Sequence, residues 1–138
     1  MSKAFFVPLR NRGLIHIEGA DRVDFLQGLV SNDVSRLEEK KIMYACLLTP
    51  QGKFLHDFFM HHGDGFILLD CEGGPRAKDL YDRLSKYRLR ADVQLSVEED
   101  HPAYAIFHDE TGLPDPRHFK MGYRSFEKPD LPEEHFEE

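Results

Sequence analysis

Ile42-Met43-Tyr44-Ala45-Cys46-Leu47-Leu48-Thr49-Pro50-Gln51-Gly52-Lys53-Phe54-Leu55-His56-Asp57-Phe58-Phe59-Met60 sets two apolar runs on either side of a segment with turn chemistry. In that segment, Thr49 to Lys53, a proline that presets φ is followed by a glycine that accepts positive φ, so the runs 42–48 and 54–60 are predicted to pair as a hairpin. A second turn, His62-Gly63-Asp64-Gly65, leads into a third apolar run from Phe66 to Cys71. The three runs together predict an antiparallel meander.

Upstream, Ala4 to Leu9 and Leu14 to Glu18 read as two strands separated by the turn Arg10-Asn11-Arg12-Gly13. Alternation places Leu14, His16 and Glu18 on one side of the second strand and Ile15 and Ile17 on its buried side. Asp21 is positioned to cap a helix reaching about Val30, in which Val23, Leu26, Leu29 and Val30 recur at helical spacing. Gly28 within it costs about 1 kcal/mol relative to alanine, which points to a close backbone contact at that turn. Ser31-Asn32-Asp33 breaks the pattern.

Downstream, Pro75 suits a first helical position, and Ala77, Leu80, Tyr81, Leu84 and Tyr87 form the apolar stripe of a second helix reaching about Leu89. Val93, Leu95 and Val97 alternate as a half-buried strand, and Ala103 to Phe107 are expected to pair with it across a turn at Glu98 to Pro102. The order ββαβββαββ, with hairpins and few long crossovers, predicts an α+β fold: a mostly antiparallel sheet with two helices packed on it. Residues 1–110 are expected to form the domain. Residues 111–138, where prolines, glycines and charge interrupt every period, are expected to be an acidic tail that crosses a surface or is disordered.

The 138 residues, 41% hydrophobic and 12% aromatic, suffice for one core. The net charge of -7 is uneven, since six carboxylates against Lys128 place -5 in the last twelve residues and leave -2 in the rest. Such a body lacks a phosphate-neutralising face, so no direct nucleic-acid partner is expected. No apolar run has transmembrane length, so no membrane partner is expected either. Cys46 and Cys71 stand in apolar surroundings and read as buried thiols of a reducing compartment. With the N-terminal segment too soon interrupted for a signal peptide, the protein is expected to be cytoplasmic.

His56, His61 and His62 are the densest histidine group. Adjacent strand residues point to opposite faces and neither cysteine has zinc-ligand spacing, so no metal site is expected. Asp57 is more informative, because a carboxylate between Leu55, Phe58 and Phe59 is costly to bury without a donor. Left to the local pattern, it is either an outward-facing strand residue or a fixed acceptor for a polar heterocycle in an apolar pocket. No nucleophile elbow, P-loop or dinucleotide fingerprint occurs, and no catalytic residue is assigned.

Three segments, Phe25-Leu26-Gln27-Gly28-Leu29-Val30-Ser31-Asn32-Asp33-Val34, Tyr44-Ala45-Cys46-Leu47-Leu48-Thr49-Pro50-Gln51-Gly52-Lys53-Phe54-Leu55 and Asp115-Pro116-Arg117, together resemble the start of a YgfZ-type protein, over approximately Leu9 to Arg124. That family is related to the aminomethyltransferase, or T protein, of the glycine cleavage system, and the resemblance implies an α+β domain that binds tetrahydrofolate. It further implies that Asp57 holds the pterin and that Tyr44 lines the folate pocket. Where the T protein usually has two acidic residues in the strand, His56 precedes Asp57; Lys53 also departs from the pattern.

The resemblance implies a role in iron–sulfur cluster assembly or repair, with iron–sulfur proteins as partners, and thereby in maintaining enzymes such as tRNA methylthiolases. The sequence stops before the Lys-Gly-Cys-Tyr-x-Gly-Gln-Glu motif that marks YgfZ proteins, so a truncated homologue without catalysis of its own is expected. Two alternatives remain open: an aminomethyltransferase, which moves a one-carbon unit to tetrahydrofolate, and an interaction module with a decayed folate pocket.

Overall fold

The computed structural model describes residues 3–134. Its strands are β1 (Phe5–Leu9), β2 (Arg12–Glu18), β3 (Ile42–Leu48), β4 (Phe54–His62), β5 (Phe66–Glu72), β6 (Gln94–Glu98), β7 (Ala103–Phe107), β8 (Leu113–Pro114) and β9 (Tyr123–Ser125). The helices are α1 (Arg22–Gln27), α2 (Leu37–Lys40) and α3 (Pro75–Tyr87), giving the expected α+β class. The described residues divide into two compact units, one of residues 12–101 and one that joins residues 3–11 to 102–134. The division expected at 110/111 differs from this, because the two ends of the chain contribute strands to one sheet.

In the 12–101 unit, the five strands run in the order β3-β4-β5-β2-β6 with every neighbour antiparallel, and β3-β4-β5 is the meander expected from the turns. Register sets Ala45 opposite Phe58 and Phe58 opposite Cys71, while Met60 and Ile15 both flank Leu69. These residues form the core face, completed by Leu26 of α1 and Leu80 and Leu84 of α3, all fully buried. Each large aliphatic or aromatic side chain sequestered there contributes about 1.5–3 kcal/mol. This face therefore holds the unit together.

Helix α1 stops at Gln27 instead of continuing to Val30. The chain is drawn onto the sheet edge there: Val30 bridges Leu47, and the Ser31 N–H donates to the Cys46 carbonyl at 3.0 Å. Gly28 becomes the helix C-cap, and a Cβ on it would meet nothing nearer than 3.9 Å, so the expected close contact is absent. Asp21 does not cap α1 with its side chain but accepts the Asp92 N–H at 2.7 Å. Asp33 is the side chain that does cap, accepting the Ser35 N–H at 3.1 Å ahead of a 3-10 turn, Val34–Arg36, and α2, neither of which periodicity revealed.

The expected β6–β7 hairpin does not form. Strand β6 pairs with β2, setting Leu95 opposite Ile17 and Val97 opposite Ile15, whereas β7 pairs with β1. The intervening backbone is held elsewhere, since Gly74 N–H donates to the Glu99 carbonyl at 2.7 Å and His101 N–H to the Arg12 carbonyl at 2.9 Å. Those bonds leave 98–102 unable to close a turn between the two strands.

The other unit is a sheet ordered β1-β7-β9-β8. Phe5 stacks on Phe107 at 5.1 Å between ring centroids, and Phe6 meets Tyr104 edge-on at 5.6 Å. The segment expected as a tail supplies β8 and β9, because Gly112 (φ 89°) and Gly122 (φ 75°) adopt the left-handed turns that let it double back on β7. Asp115-Pro116-Arg117 closes on itself: the Arg117 guanidinium donates to both oxygens of the buried Asp115 carboxylate, at 3.0 and 2.7 Å. Beyond β9, Phe6 N–H donates to the Pro132 carbonyl and Glu134 N–H to the Phe6 carbonyl. The last acidic residues, Glu137 and Glu138, lie outside the described residues.

Candidate functional site

Because strand side chains alternate, residues paired across the sheet with Tyr44 and Asp57 share the face opposite the core. Cys46 lies directly opposite Asp57, Tyr44 opposite Phe59, and Phe59 opposite Asp70, which is in turn opposite Leu14. This face thus sets a tyrosine, a cysteine and two carboxylates around a buried phenylalanine. The Tyr44 ring tilts against that of Phe59 at 5.4 Å.

The two sequence-predicted site residues meet: the Tyr44 hydroxyl donates to Oδ2 of Asp57. Burial, reinforced by the Asp57 carboxylate, raises the Tyr44 phenol well above its ordinary value. The phenol therefore stays a donor throughout the physiological range, and it fixes the half-buried Asp57 carboxylate beside an aromatic ring. A carboxylate has lone pairs for about four hydrogen bonds, so acceptor capacity remains beyond the one that Tyr44 fills. The arrangement is an oriented acceptor beside an aromatic ring, chemistry that can receive N–H donors from a polar group.

Next to this pair, Arg12 of β2 donates through Nε to Oδ1 of Asp70 at 2.8 Å and through its terminal nitrogen to the Asp70 carbonyl at 3.0 Å. Asp70 is 1% exposed. This pair escaped the sequence reading, although Asp70 carries the same signal as Asp57, a carboxylate inside an apolar strand run.

His56 faces the other way. It is buried on the α3 side, with Nε2 at 2.7 Å from Oδ2 of Asp79, which also accepts from Arg83 Nε at 2.7 Å. Hence the strand that usually carries two acids in the T protein offers only Asp57 to the site face. Cys71 is on the core face, where burial pushes its thiol up to about 12 and leaves it inert at neutral pH. Among the described residues no group of three or more histidine, cysteine, aspartate or glutamate side chains is arranged to hold a metal ion. No described helix is long and apolar enough to cross a membrane.

Burial lowers the His56 imidazole below its ordinary 6.5, with Arg76 and Arg83 adding to the effect against the attraction of Asp79. Asp79 remains ionised because Arg83, then His56, hydrogen-bond its carboxylate. On acidification the unfolded chain takes up the His56 proton first, so this contribution is intact above pH 6.5 and is lost as pH falls below it. Thermal denaturation should show a midpoint that drops on acidification through this window in the parent chain and drops less in His56→Gln. Parallel pH profiles would remove His56 as the source.

No protein-family profile matches the chain. Among curated proteins, the iron–sulfur cluster assembly factor IBA57 homolog, mitochondrial, of Mycosarcoma maydis is 31% identical over 137 residues, covering 83% of this chain and 34% of the relative. The protein of the same name from Pyricularia oryzae is 31% identical over 88% of this chain and 35% of its own length. That from Coccidioides immitis is 43% identical over 71% of this chain and 26% of its own. The chain spans about a third, or less, of the length of these relatives.

Among solved structures, glycine cleavage system aminomethyltransferase T from Bartonella henselae superposes with a TM-score of 0.65 at 21% identity, over 76% of this chain and 29% of that one. The fold is therefore the aminomethyltransferase-like fold. The relatives are designated mitochondrial, which overturns the expectation of a cytoplasmic protein. That expectation came from cysteine usage and an N-terminal segment unlike a secretory signal, and neither feature separates the cytoplasm from other reducing compartments.

Proposed function

We propose that this chain forms the tetrahydrofolate-binding part of a YgfZ-type protein that supports iron–sulfur cluster assembly in mitochondria. One observation carries the proposal: Tyr44 and Asp57 come together on the face of the β3–β4 hairpin opposite the core, as a donor-fixed carboxylate beside an aromatic ring. The similarity to assembly factors supports the biological setting, and the aminomethyltransferase-like fold supports the class of ligand. In this reading Asp57 accepts the ring and amino N–H groups of the pterin, Tyr44 holds that carboxylate in place, and Phe59 backs the ring. The iron–sulfur proteins served are partners of the whole protein.

The aminomethyltransferase alternative is disfavoured by His56, whose side chain turns toward Asp79 where the enzyme's strand usually has a second acid. Glycine-dependent formation of methylenetetrahydrofolate by the full-length protein would restore that alternative.

The functional test is replacement of the endogenous protein in cells by the full-length form carrying Asp57→Asn. Cluster-dependent enzymes should lose activity while cluster-free enzymes from the same compartment keep theirs. Unchanged cluster-dependent activity would reject the proposal. Tyr44→Phe, which removes only the donor that fixes Asp57, is expected to weaken binding of folinic acid by about 0.5–1.5 kcal/mol, the net worth of one hydrogen bond. Calorimetry checks this.

A further inference from the structure

A groove of about 280 Å³ lies within the 12–101 unit, at the turn end of the β3–β4 hairpin, lined by Leu29, Leu47, Leu48, Pro50 and Tyr87 among others. Its surroundings are unusually apolar for a surface. Leu48 is 39% exposed, its cross-strand partner Phe54 59%, Tyr87 50% and Leu89, two residues further on, 87%. Exposed apolar side chains on and beside a groove mark an interaction surface more often than scattered single residues do.

Leu89 adds a backbone observation. It follows the α3 C-cap at φ 45°, the left-handed position that glycine normally fills at the end of a helix. A leucine is strained there, and this one presents nearly its whole side chain to solvent. Nothing in the packing of the unit rewards that arrangement.

Charge indicates what the surface accepts. The segments that build the groove and its rim, 26–31, 47–54 and 83–91, carry Lys53, Arg83, Lys86, Arg88 and Arg90 and no acidic residue, a local +5 in a chain of net charge -7. Arg83 is paired with Asp79, whereas Lys53, Lys86, Arg88 and Arg90 have no ion pair among the described residues. A groove bordered by exposed apolar side chains, with uncompensated cations on the segments next to it, is complementary to apolar side chains spaced by carboxylates, a pattern that a phosphate backbone does not offer.

We propose that this groove docks an acidic peptide segment of a partner protein, with an apolar side chain against Leu48 and Tyr87 and carboxylates facing Lys53, Lys86, Arg88 and Arg90. The proposal is independent of the folate reading, since neither Asp57 nor Tyr44 lines the groove.

The test is fluorescence anisotropy of the whole chain titrated with a labelled peptide that alternates glutamate with leucine and phenylalanine. Saturable, salt-sensitive binding is expected, weakened about tenfold by the charge reversal Arg88→Glu with Arg90→Glu. Leu89→Gly separates docking from folding: it should raise the melting temperature by relieving the left-handed backbone, yet weaken the peptide several-fold, as loss of an exposed apolar anchor does. The proposal is overturned by undiminished affinity in either variant or by equal binding of a peptide with lysine in place of glutamate. Binding of heparin that Leu89→Gly leaves unchanged would also overturn it, by making the surface a simple polyanion site. So would self-association abolished by Leu89→Gly, by making the surface a contact between copies of this chain.

Discussion

Arg12→Ala is expected to destabilise the 12–101 unit by about 3–5 kcal/mol, the cost of breaking an ion pair whose carboxylate is buried. The size follows from where the two groups lie. Asp70 is 1% exposed, so its carboxylate cannot turn to water when the guanidinium is removed, whereas the Arg12 side chain at 22% is only partly withdrawn from solvent. Arg12 also donates to the Asp70 carbonyl, so the substitution removes two hydrogen bonds at once. Urea denaturation measures the loss. The double replacement Arg12→Met with Asp70→Leu should recover much of it, because uncharged side chains of similar volume carry no desolvation penalty. A single substitution costing under about 1 kcal/mol, the range of an exposed pair, would mean that Asp70 is better solvated than the structure places it.

Most of the 12–101 unit was legible in the sequence because its determinants are local. Turn residues at 49–53 and 62–65 specify the meander, and the stripe Ala77-Leu80-Leu84 specifies α3. What escaped depended on distant partners. Strand β6 was assigned to its sequence neighbour, yet alternation in Leu95 and Val97 says only that one face is buried, and β2 supplied the matching face from far earlier in the chain, in register at Ile15 and Ile17. Helix α1 ended early because Val30 found Leu47, a contact that no helical period encodes.

The segment after residue 110 was misread for a related reason. Proline and glycine destroy periodicity whether they mark disorder or turns, and Gly112 and Gly122 mark turns. Of the candidate site, Asp57 could be singled out from its apolar surroundings, and the resemblance to folate-binding proteins added Tyr44. The Asp79 partner of His56 and the Arg12 partner of Asp70 were not visible, since each pair spans 20 or more residues between different elements.

The second large effect concerns the site. Asp57→Asn keeps an oxygen to accept the Tyr44 hydroxyl, so the hairpin should fold unchanged, but it replaces a charged acceptor with an amide that presents donors to the ligand's own N–H groups. Loss of a charge-assisted acceptor is expected to weaken folate binding by about 1–3 kcal/mol, or about fivefold to 150-fold in affinity. A melting temperature within experimental error of the parent, measured alongside, separates this from misfolding. His56→Gln serves as a neighbouring control, because its side chain lies on the α3 side of the strand and should leave the affinity at neutral pH untouched.

The most direct measurement of the central claim is calorimetric titration of this chain with folinic acid, run in parallel on the parent and on Asp57→Asn. The account predicts saturable one-site binding by the parent that is weakened or abolished in the variant. Absence of binding by the parent, or equal affinity in the two proteins, would contradict it.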